Sequence, residues 1–195
     1  MRRAAVLLVA GALLLLTTGC GSSEQPTEGK PRMNMQEAAE RADEILDGTF
    51  AAIRPGVHWT HGESTEGGCD VSRRRAVMTI ISEERRGSFV GVVERHWTAE
   101  GYRRLGVNRS TTSPATYFET PDGFRVRLLV GGNGQAFFEA ATPCVTKSAV
   151  APPTADTVGP NYAGGDIPDP DVRSDFWSVT SPVPATPPSG SPSGR

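Results

Sequence analysis

Thr116–Thr142, TYFETPDGFRVRLLVGGNGQAFFEAAT, decides the fold. Two turn signals, Pro121-Asp122-Gly123 and Gly131-Gly132-Asn133-Gly134, cut it into three runs rich in aromatic and branched residues. Such runs, bounded by Gly, Pro, Asn and Asp, read as strands joined by tight turns. The stretch therefore predicts three strands, over Thr116–Thr120, Phe124–Val130 and Gln135–Thr142.

Upstream, Phe89–Trp97 alternates, with Phe89, Gly91, Val93, Arg95 and Trp97 on one face, and reads as a further strand. Thr98 then caps a short helix through Leu105, with Gly106 behind it. Ala76–Ser82 reads as a strand, Glu83–Gly87 as a polar turn, Gly62–Arg74 as a loop and Val57–His61 as a short extended piece. The first folded element is a helix. Ala38, Ala42, Ile45, Leu46, Thr49, Phe50 and Ile53 share one helical stripe, Asn34 and Glu37 suit a capping box, and Pro55-Gly56 stops the run.

The expected order is helix, three strands, short helix, three strands. It implies a two-layer α+β domain over 34–147, with an antiparallel sheet and helices on one face. The halves admit a reading as αβββ pseudo-repeats. The recurring His-Trp-Thr at 58–60 and 96–98 falls at unequal positions and is a coincidence.

The N-terminus carries an address. Arg2 and Arg3 precede a charge-free run from Ala4 to Leu16, too short for a helix to cross a hydrocarbon core of about 30 Å. It has the length of a signal h-region, with residues 1–19 as the expected signal peptide. Thr17-Thr18-Gly19-Cys20 follows and resembles the lipobox of bacterial lipoprotein precursors, with Thr17 in place of the usual aliphatic residue. The resemblance implies cleavage before Cys20, diacylation of that cysteine as the new N-terminus, and anchorage to the outer face of the cell membrane. Residues 20–33 would then be the lipidated cysteine and a flexible spacer. Eighteen of the twenty basic residues are Arg, and Ala, Gly and Pro are abundant. That is the bias of a GC-rich genome and fits an actinobacterial source.

An exported chain meets an oxidising compartment, so the two remaining cysteines, Cys69 and Cys144, read as a disulfide. A thiol pair or metal ligands are the alternatives, but neither Cys has a second Cys or His at ligand spacing. Past Lys147 the chain is rich in Pro, Ser, Thr and Gly, so 148–195 reads as a disordered tail. Within it, 167–179 contains Phe176-Trp177 and is the segment expected to dock on the domain or meet a partner.

A formal net charge of −2 leaves no electrostatic footprint for nucleic acid. No nucleophile elbow, phosphate-cradling loop, H-E-x-x-H or C-x-x-C occurs, and no cofactor is expected. His58 and His61 would point to opposite faces of a strand, which disfavours joint metal binding with His96. Glu63, Glu66 and Asp70 lack an EF-hand spacing for calcium. Trp59 and Trp97 read as core more readily than as walls of a ligand cleft. Arginines cluster at Arg73-Arg74-Arg75, Arg85-Arg86 and Arg103-Arg104, with Arg125 and Arg127 on one strand face. They read as a solvated surface, or more sharply, at Arg73–Arg75, Arg85-Arg86, Arg125 and Arg127, as a face for an anionic partner. The functional expectation is non-catalytic: an extracytoplasmic lipoprotein binding an envelope protein, polymer or small ligand. The alternative is a small extracytoplasmic hydrolase or inhibitor-like domain with a dispersed site.

Overall fold

The computed structural model describes residues 33–181. The expected signal peptide, Cys20 and its spacer, and residues 182–195 lie outside the described residues. Helix α1 spans Met35–Ala52 and starts on a capping box. The Asn34 side chain accepts from the Glu37 amide at 3.0 Å, and the Glu37 carboxylate accepts from the Asn34 amide at 2.9 Å. Its buried stripe includes Ala38, Ala42, Ile45, Leu46, Thr49 and Phe50, and Ile53 just beyond the helix is also buried.

Strands β1 (Trp59–His61), β2 (Thr65–Glu66) and β3 (Val71–Val77) follow. The expected loop over Gly62–Arg74 is thus a hairpin, and the strand expected at Ala76–Ser82 begins earlier, at Val71. Cys69 lies in the β2–β3 turn and is bonded to Cys144, just past the last strand, with Cα atoms 4.9 Å apart. Helix α2 (Glu83–Ala99) replaces the turn and strand expected over Glu83–Trp97. Phe89, Val93 and Trp97 match period two but also stand four apart, and burial of the helical stripe Phe89, Val90, Val93 and Trp97 decides the matter. The helix expected over Thr98–Leu105 is instead the end of α2, a turn at Glu100-Gly101 and the start of β4 (Arg103–Asn108).

Strands β5 (Ala115–Glu119), β6 (Arg125–Val130) and β7 (Ala136–Ala141) complete the sheet. They fall where the two turn signals placed them. Gly134 closes the β6–β7 turn at φ 77°, where an added Cβ would meet the Ile81 carbonyl oxygen at 2.5 Å. All pairings between the strands are antiparallel, in the order β1-β3-β7-β6-β5-β4, with β2 also on β3. The halves are therefore αβββ and αββββ. The fold is α+β with one disulfide, and both helices cover one face of the sheet. Phe50 and Phe89 of the helices meet Phe138 of β7, and Trp97 meets Phe118 of β5. The helices are joined where the Trp97 indole donates to the Thr49 hydroxyl at 2.9 Å.

The chain from 148 to 181 corrects the expectation of a disordered tail over its described length. It has almost no regular structure, yet it is tied to the domain as a strap. Ala151 exchanges bonds with Gln36 and Arg73, Val158 pairs with Trp59 on the β1 edge, and Val172 bridges Thr79. Trp177 is fully buried against Phe89, and its indole donates to the Pro55 carbonyl at 2.7 Å. Low sequence hydrophobicity forbids an independent core, but it does not forbid backbone bonding to an existing sheet edge and one aromatic anchor.

Candidate functional site on the solvent face of the sheet

The seven arginines expected to form one anionic-partner face are divided by the fold, and four of them are buried. Residues of a strand alternate between faces, so Arg73 and Arg75 point with Val71 and Val77 toward the helices, while Arg74 points away. Arg73 pairs with Asp43 at 3.1 Å, and Arg75 pairs with Asp47 at 2.7 Å. The match is geometric: two residues of strand advance ~6.8 Å and four of helix ~6 Å, so the pairs align. The Arg75 guanidinium also lies 4.1 Å from the Trp59 ring centroid. Burial raises the Asp43 carboxyl above its ordinary value, outweighing the opposite pull of Arg73 and Arg75. Burial likewise lowers the Arg75 guanidinium, against the bond it donates to Asp47.

Arg85 and Arg86 occupy the first turn of α2 and are also buried. Arg86 donates to the carbonyls of Thr112 at 2.8 Å and Gly132 at 2.6 Å, tying the helix to two turns. Arg85 lies over the Phe176 ring, 4.9 Å from its centroid, and so holds the strap. These four arginines are structural ties within the domain.

Arg74, Arg125 and Arg127 do reach the opposite, uncovered face. There Arg74 and Arg127 share Glu139, at 2.6 and 2.7 Å, and Arg103 and Arg125 share Glu119, at 2.7 and 3.9 Å. Two carboxylates thus serve four guanidiniums, and the face carries a local positive excess. Between the charges stand exposed Tyr117, which pairs in register with Arg127, and exposed Phe137, opposite Leu129 of β6. Exposed Leu105 borders a depression of about 540 Å³ that also contains Tyr117 and Arg125. Aromatic rings beside incompletely neutralised guanidiniums suit an acidic or aromatic partner surface.

Tyr117, Phe137, Glu119 and Glu139 were not singled out as site residues. The signal was available: with the two turns fixed, cross-strand register brings Tyr117, Arg127 and Glu139 into one row.

The other sequence candidates take structural places. His61 is buried with Nε2 2.8 Å from the Ala155 carbonyl oxygen and its ring edge-on to Trp59. His96 lies 4.0 Å from Glu100 on α2. Trp59 and Trp97 are core residues. Among the described residues, no three of His, Cys, Asp or Glu are grouped to hold a metal ion, and no helix is long and apolar enough to cross a membrane.

No protein-family model matches the chain, and no curated protein matches it. Among solved structures, the chain is similar to the crystal structure of a DUF4853 family protein from Actinomyces odontolyticus ATCC 17982. The two are 13% identical, with a TM-score of 0.36, over 60% of this chain and 71% of that one.

Proposed function

We propose that this protein is a non-catalytic binding module of the cell envelope, anchored by a lipid on Cys20 and engaging its partner through the uncovered face of the sheet. The observation that carries the reading is the arrangement on that face. Glu119 and Glu139 are each shared by two arginines, and Tyr117 and Phe137 stand exposed beside them. The helices fill the other face, and the strap covers the β1 edge and, through Tyr162 and Ile167, the β1–β3 end of this one, so the broad surface left to solvent is its part around β4, β5 and β6 and the outer end of β7. The Gly19-Cys20 lipobox resemblance supports anchorage, and the polar stretch that follows it supports display at a distance from the bilayer.

The reading is tested by capture on intact cells, with a photocrosslinking residue at position 137 and a control at Glu44 on α1. A discrete partner crosslinked from 137 and absent from the control supports it. Equal labelling from both positions removes the sheet face from the account. Turnover of an envelope substrate by the purified protein, abolished by a single substitution, would replace binding with catalysis.

A further inference from the structure

We propose that β4 takes up an extended, acidic segment of a partner protein as an added antiparallel or parallel strand. The inference rests on the binding reading above and names the partner's chemistry. β4 ends the strand order, and no described segment pairs with its outer edge. The opposite edge differs, because Val158 of the strap bridges Trp59 on β1. β4 is six residues long and solvent-accessible along its length, so it offers about 20 Å of unpaired backbone donors and acceptors.

Space flanks this edge on both sides of the sheet. On the helix side, a cleft of about 580 Å³ runs between α2 and the β4–β5 connection, with Val107 at its border. Gly87 and Gly91 of α2 line the cleft, and a Cβ at Gly87 would meet nothing within 4 Å. On the solvent side lies the depression of about 540 Å³ bordered by Leu105, Gly106 and Tyr117. An added strand sends alternate side chains to opposite faces, so every second residue would enter each space.

Charge selects the occupant. Arg103 and Arg125, with side chains 69% and 75% exposed, share Glu119 on the solvent side. Carboxylates at alternate positions of an incoming strand would complete their pairing. A second copy of this chain is a poorer occupant. Its own β4 would bring Arg103 and Arg104 into the field of the same arginines.

The test uses the intact protein in detergent and a displayed library of random octapeptides. Enriched peptides are expected to carry Asp or Glu at alternate positions and no internal Pro. Binding of one such synthetic peptide should slow amide hydrogen exchange in Arg103–Asn108 by about tenfold or more. Arg103→Glu with Arg125→Glu, both at exposed positions, should weaken binding at least about tenfold with an unchanged circular dichroism spectrum. Failure to enrich any peptide overturns the proposal, as do peptides without acidic alternation and β4 protection already present in a self-associated protein. Peptides that protect residues around Phe137 but leave β4 exchange unchanged overturn strand addition while leaving the sheet face as a binding surface. Loss of cellular capture from position 137 bears on that wider reading instead.

Discussion

Trp177 shows how a residue outside the expected domain becomes part of its core. It is fully buried, meets Phe89 edge-on with centroids 5.1 Å apart, and donates its indole N–H to Pro55. Trp177→Ala should destabilise the fold by about 3–5 kcal/mol in urea unfolding, the range for emptying a large aromatic site. A loss within experimental error would show that the strap adheres without supporting the core. Asp122 makes a pH-dependent contact. Burial opposes its ionisation, but bonds from Thr120 and Arg41 prevail, and its carboxyl lies below the ordinary value. A depressed acid contributes stability above its unfolded pKa and loses it as pH falls through the folded one. Arg41→Gln should therefore raise the Asp122 carboxyl toward its ordinary value, as followed by NMR titration. The pair is 39% and 42% exposed, so its stabilisation near neutral pH should be under about 1 kcal/mol and vanish in acid. The fate of Arg73 and Arg75 was not legible. Gly62–Arg74 read as a loop, so strand alternation did not separate them from Arg74, and although Asp43 and Asp47 stand four apart on a helix, no local pattern says that the two elements meet.

At the scale of elements, legibility followed the strength of local signals. α1 was readable because a capping box, a single apolar stripe and Pro55 agree. β5, β6 and β7 were readable because two glycine-bearing turns fix their ends. α2 was not, because Phe89, Val93 and Trp97 satisfy both periods while Gly87 and Gly91 weaken helix propensity. Packing of Phe89 against Phe138 and of Trp97 against Phe118 supplied the choice, and that information lies in distant strands rather than in the local pattern. The strap was legible only at its aromatic island, Phe176-Trp177, for a related reason: composition shows what cannot fold alone, whereas the remaining bonds of the strap are to an edge built elsewhere. The disulfide joins the β2–β3 turn to the end of β7 across a sequence separation of 75. Chain entropy assigns such a closure roughly 4–5 kcal/mol as an upper figure. Cys144→Ser should lower stability by about 2–5 kcal/mol in denaturant unfolding, and reduction of the wild type should match it. Equal stability with and without the bond would mean that β3–β7 pairing alone holds the two ends together.

Beyond a polar N-terminal stretch of sequence, the described domain has helices, a sheet edge and a strap that are mutually tied, leaving most of one broad face and one strand edge to solvent. That division suits display of a surface better than enclosure of a reaction. Anchorage at Cys20 is checked by mass spectrometry of the membrane fraction, where the expected N-terminus is an acylated cysteine. Cys20→Ala should shift the protein to unprocessed precursor or to the medium, whereas an unmodified wild-type Cys20 would remove the tether. The central claim is that the uncovered sheet face binds a partner through its excess of arginine. It is tested most directly by the yield of partner crosslinked from position 137 on intact cells, measured against added salt and with Arg125→Glu and Arg127→Glu. The account predicts a yield that falls with salt, which screens exposed charges over about 10 Å at 0.1 M, and a similar fall in the charge-reversed variant. A yield indifferent to both would contradict it.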